Sequence, residues 1–83
     1  MKYRSEIDIM CQILKVANGG GATKTRITYG ALLSFPQVKK FTTNLTERGL
    51  VHYDRERHTF KTTEKGLRLL RQYNHLDELM NKR

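Results

Sequence analysis

Cysteine is all but absent from this chain of 83 residues: Cys11 has no second thiol with which to form a bridge or a paired metal site. A disulfide framework is therefore excluded. His52, His58 and His75 are scattered, with no carboxylate at ligand spacing, so no metal and no cofactor is expected. No apolar stretch reaches membrane-spanning length, and the N-terminus does not read as a signal peptide. The expectation is a soluble, cytoplasmic protein with no membrane partner. Repeats, low-complexity segments and linkers are also missing, which leaves one domain. A domain this short has a thin core, and a partner surface that completes it is expected before any motif is read.

Acidic residues are absent from a long interval. Between Asp8 and Glu47 there is none, while Lys15, Lys24, Arg26, Lys39 and Lys40 all fall inside it. The net charge of +8, from 16 Lys and Arg against 8 Asp and Glu, favours a polyanionic partner. From Asp54 onward acids and bases are interleaved.

What is present reads as helices followed by a hairpin and a helix. Ser5 and Asp8 have capping-box spacing, and Ile7, Met10, Cys11, Leu14 and Ala17 follow on one face, which predicts a first helix over 5–17. Ile9, Ile13 and Val16 widen its apolar arc, so cover on two sides is expected, one of them the last helix or a second subunit. Asn18-Gly19-Gly20-Gly21 breaks the helix. Thr23 caps a second helix over 24–33, with Ile27, Ala31 and Leu32 as its inward stripe. Ser34 and Gln37, with Pro36 in the first turn, start a third over 34–48, ended by Gly49. The tight interval between these two helices is that of a helix-turn-helix. Two runs around Asp54-Arg55-Glu56-Arg57-His58 predict a hairpin over 50–62, and Thr63 caps a last helix over 64–81.

The third helix has two unlike faces. Val38, Phe41 and Leu45 gather on one; Pro36, Lys39, Lys40, Thr43, Thr46 and Glu47 lie on the other, with Gln37 and Asn44 at the border. Lys and a helix N-terminus suit phosphate, whereas Gln, Asn and Thr suit base edges, so this face fits a major groove. Lys24, Arg26 and Ser34 are expected to support it. Gln37 has two open roles, since a capping box folds its side chain back onto Ser34. Arg55 and Arg57 suit a backbone-contacting wing, although Asp54 and Glu56 equally suit an ordinary solvated turn.

Enzymatic readings fail on spacing. The run Gly19 to Thr25 lacks the Gly that a phosphate-binding loop places directly before its Lys, and no strand precedes it. Cys11 sits on an apolar face with no base predictably near it. No enzyme is expected. On the last helix, Leu67 and Leu70 can pack inward, while Leu69, Tyr73, Leu76 and Met80 recur as in a coiled-coil seam. With Ile9 and Ile13 of the first helix, they form the expected homodimer interface.

The residues Lys24-Thr25-Arg26-Ile27, Leu33-Ser34-Phe35, Gln37, Phe41, Leu45, Gly49-Leu50, and then Phe60, Thr63, Lys65 and Gly66 carry a resemblance over almost the whole chain. The sequence resembles the small archaeal winged helix-turn-helix DNA-binding proteins, a group that includes basic chromatin proteins dimerising through a C-terminal helix and related regulators. Thr62 stands where those proteins usually have an aliphatic residue. The resemblance implies a mainly α fold with a small β-hairpin, double-stranded DNA as partner, the third helix as reader and the hairpin as wing. Transcription regulation and nucleoid association both remain open, as does a protein-interaction module.

Overall fold

A computed structural model describes residues 4–81. Its elements are α1 (Glu6–Val16), α2 (Lys24–Gly30), α3 (Phe35–Glu47), β1 (Val51–Asp54), β2 (Thr59–Thr62) and α4 (Glu64–Asn81). The chain is mainly helical, with a two-stranded antiparallel hairpin and a C-terminal helix, as the sequence leads one to expect.

Capping chemistry sets the helix starts. The Ser5 hydroxyl accepts from the Asp8 amide while the Asp8 carboxylate accepts from the Ser5 amide, and Ser34 and Gln37 repeat the arrangement at α3. Thr23 accepts from the Arg26 amide at the start of α2. Each such cap satisfies N–H groups that the first helical turn leaves without partners.

α2 is shorter than the expected 24–33 and ends at Gly30. Leu32 leaves the helix at φ +54° with its side chain 79% exposed, so it adds nothing to the inward stripe. A bulky residue in the left-handed region is strained and persists only where its surroundings hold it. A local cap supplies that hold, the Leu33 amide donating back to the Thr28 carbonyl at 3.0 Å, and the Arg4 guanidinium adds to it by donating to the carbonyls of Ala31 and Leu32, the latter at 2.9 Å.

α1 is the central element. α2, α4 and β2 all pack on it, and Ile13, Leu14 and Ala17 are fully enclosed. Its wide apolar arc is therefore covered by its own chain. This corrects the expectation for Ile13, which has no surface to offer a partner; Ile9 is half-buried against the same core. Gly30 lets α2 cross α1 closely, since a Cβ there would lie 2.8 Å from Val16 Cγ2.

The hairpin register pairs Val51 with Thr62 and Tyr53 with Phe60. A third rung escaped the sequence reading. Ala22, in the glycine-rich loop, exchanges both backbone hydrogen bonds with Phe60 at 2.8 Å. Thr62 also gains an explanation. It is buried, and its hydroxyl donates to the Leu14 carbonyl at 2.8 Å while its amide donates to Ala17, so a polar side chain fastens the hairpin to α1 where an aliphatic one would only fill space.

The residues after the hairpin form a clasp on the end of α3. The Thr63 hydroxyl donates to the Gly49 carbonyl at 2.7 Å and accepts from the Gly66 amide, capping α4. Lys65 Nζ donates to the Arg48 carbonyl at 2.8 Å, where a cation also meets the negative end of the helix dipole. Gly66 lies directly against the Leu50 carbonyl. The Phe60, Thr63, Lys65, Gly66 pattern is thus the device that locks α3 in place.

Tyr73 turns inward, contrary to its expected place in an intersubunit seam. Its hydroxyl donates to the Asp8 carboxylate, tying α4 to the start of α1. That bond, followed by those from Ser5, holds Asp8 below its ordinary value, and Tyr73 is pushed up to about 12 by Asp8. A phenol whose folded value is raised stabilises the fold fully below the ordinary value near 10 and loses that contribution as pH rises through about 12. Thermal melts of the parent should therefore fall more steeply over this alkaline window than melts of Tyr73→Phe. Parallel curves would show that the bond contributes nothing.

Candidate nucleic-acid interface

The exposed face of α3 and the hairpin enclose a hollow of about 390 Å³. Lys24 reaches it from α2, Lys39, Thr42, Thr43 and Thr46 from α3 with the acidic Glu47 at the end of that helix, and Tyr53 and Phe60 form its hairpin wall. The two rings pack at 4.8 Å between centroids, tilted by 46° to each other. Lys24 Nζ also lies 5.9 Å from the centre of the exposed Phe35 ring, which keeps the ammonium close to the start of α3. Cations from two helices thus converge on the groove between the third helix and the hairpin. An anionic polymer following that groove would meet both.

The remaining expected residues divide. Lys40 is exposed, with Nζ 5.7 Å from the Phe41 ring centre, and it is not among the residues that line the hollow with Lys39. Ser34 and Gln37 are exposed but engaged with each other: Gln37 Oε1 accepts from the Ser34 amide at 2.9 Å. Of the two roles open to Gln37, the free protein adopts the capping one. Asn44 is half-buried, and its Oδ1 is enclosed without a hydrogen-bond partner, so that oxygen faces inward and not toward a groove. Arg55 and Arg57 project from the hairpin tip, which Asp54 organises by accepting from the Glu56 and Arg57 amides. His58 closes the turn at φ +54°, with its Nδ1 3.1 Å from the Tyr53 hydroxyl.

Arg26 does not join Lys24. It lines a separate hollow with Lys15, Asn18 and Tyr29, between α1 and α2. On the last helix, Leu69 and Tyr73 are half-buried against the core, whereas Leu76 and Met80 are 61% and 83% exposed. Every residue over 74–80 is exposed, so the end of α4 runs clear of the domain. The sequence reading missed Arg4, Tyr53 and Tyr29. For Arg4 no signal existed, because its acceptors lie 27 and 28 residues away.

A family profile described as winged helix-turn-helix matches residues 3–81. The chain belongs to the winged helix-turn-helix family. It is also 32% identical over 78 residues to an uncharacterized protein of Methanocaldococcus jannaschii, covering 94% of this chain and 78% of that one. In the terms of the fold, α2 and α3 are the helix-turn-helix and the hairpin is the wing. Membership points to DNA binding, and winged helix-turn-helix domains are typically non-enzymatic. Burial pushes the Cys11 thiol up, away from the thiolate that nucleophilic chemistry needs. No helix among the described residues is long and apolar enough to cross a membrane.

Proposed function

We propose that this winged helix-turn-helix protein binds double-stranded DNA as a homodimer, with α3 in the major groove and the wing along the backbone. The observation that carries this reading is the convergence of Lys24, Lys39 and Thr43 on the groove between α3 and the hairpin, within the acid-free interval of the sequence. The lysines meet phosphate and Thr43 meets a base edge, while Lys40, Ser34, Arg55 and Arg57 add outer contacts. Gln37 joins them when DNA draws it from its cap. On this reading the protein acts in the cytoplasm as a nucleoid-associated protein or transcription regulator. A titration with a mixed-sequence duplex at two salt concentrations tests the reading. Affinity should fall with a log–log slope of about −0.9 for each phosphate neutralised, whereas a protein-interaction module would show no shift at low salt.

The dimer rests on the free end of α4. With Tyr73 turned to Asp8, the open stripe of this helix runs through Leu69, Gln72, Leu76 and Leu79, at spacings of three, four and three residues, with Met80 beside it. That is heptad spacing, and a second copy related by a two-fold axis covers it. Such pairing fixes the distance between the two α3 helices, and reading successive major grooves requires about 34 to 36 Å or a multiple. Equilibrium sedimentation should find a dimer at micromolar concentration, and Leu76→Glu with Met80→Glu should give a folded monomer that binds duplex more weakly. A monomeric parent would remove this part of the proposal.

A further inference from the structure

The hollow between α1 and α2 has a chemistry that the duplex-reading face leaves unused. The close crossing at Gly30 and Val16 brings Lys15, from the last turn of α1, beside Arg26 and Tyr29, which share one face of α2. Tyr29 is 76% exposed. Among the described residues its ring has no aromatic neighbour, and it contributes to no buried cluster. The core therefore gives no reason for an aromatic residue at this position. Lys15 and Arg26 both lie in the interval without acids, so no nearby carboxylate in the sequence offsets their charge.

We propose that Lys15, Arg26 and Tyr29 form a second nucleic-acid surface that takes single-stranded rather than double-stranded chains. A cationic hollow beside an exposed planar ring suits a strand whose bases are unstacked: phosphates follow the cations while a base lies on the phenol ring. An intact duplex hides its base faces inside the stack, so it meets this ring only with sugar and phosphate. Arg26 adds a planar guanidinium able to stack as well as to pair with phosphate. The site is separate from the hollow of Lys24 and Lys39, and the inference does not depend on the duplex reading.

The experiment compares an oligothymidylate of about 12 nucleotides with a mixed-sequence duplex, at low salt, on the parent protein and on Tyr29→Ala, Tyr29→Phe and the pair Lys39→Ala with Lys40→Ala. Tyr29→Ala should weaken oligothymidylate binding by roughly 5- to 100-fold, and Tyr29→Phe, which keeps the ring, by no more than about two-fold. Duplex affinity should stay within about two-fold for both, while the lysine pair shows the opposite pattern. Because Tyr29 is exposed, all variants should melt like the parent, which a thermal scan checks. Three results would overturn the proposal: no oligothymidylate binding by the parent, equal losses for Tyr29→Ala and Tyr29→Phe, or a duplex loss for Tyr29→Ala as large as the single-strand loss. The last would place the hollow on the flank of the duplex face.

Discussion

Replacing Lys39 and Lys40 together with Ala should weaken binding to every duplex and reduce the salt slope by up to about two units. Both side chains are exposed on α3, Lys39 in the groove beside Lys24 and Lys40 on the adjoining face, so neither contributes to the core. The loss should be similar across sequences, because an ammonium meets phosphate as a point charge and discriminates little. Removing Arg55 and Arg57 should have a smaller effect, since Asp54 and Glu56 offset their charge at the wing tip. A folded lysine variant that binds duplex like the parent would place the reading face elsewhere. A larger loss from the arginines would make the wing the principal contact.

The largest effect on stability is expected at Gly66. A Cβ there would lie 2.3 Å from the Leu50 carbonyl oxygen and 2.7 Å from Thr62 Cγ2. Neither can step aside: Leu50 accepts from the Thr63 amide, and Thr62 is bonded to Leu14 and Ala17. Gly66→Ala gains helix propensity of about 1 kcal/mol, yet it must push α4 off the clasp that holds α3. A net loss of about 2 kcal/mol, or a fall in Tm of roughly 10 °C, is expected. Gly20→Ala, with nothing within 4 Å of the added carbon, is the control and should change stability by less than about 0.5 kcal/mol. Equal melting temperatures for the two variants would mean that the approach at Gly66 relaxes without penalty.

Both predictions concern elements that were legible from sequence to different degrees. The starts of α1 and α3 were plain because a capping box is a local chemical statement, complete within four residues. The end of α2 was not, because a Leu occupies the left-handed cap position where Gly or Asn would give the signal, and Arg4, far along the chain, helps to hold it. A wheel drawn for the last helix put Tyr73 in an apolar seam, since it weighs the ring and ignores the hydroxyl; Asp8, 65 residues away, decides the matter. Lys24 and Arg26 looked like one group in sequence, yet two positions along a helix separate them onto opposite sides. The third rung of the hairpin could not be read at all. A single bridging residue in a glycine-rich loop has no periodicity to betray it.

That rung makes the wing a cantilever. Its root is clamped by Ala22 through Phe60 and by α1 through Thr62, whereas among the described residues its tip is tied by the local bonds of Asp54 and the contact between Tyr53 and His58. A load applied at Arg55 or Arg57 bends the free end first and reaches α3 through the root, where β1 packs on that helix, whose far end is also held by Thr63 and Lys65. The tip therefore has more freedom than the root, which stays with α3. In the proposed duplex complex, the wing tip would follow a varying groove width while the third helix keeps its angle to the core.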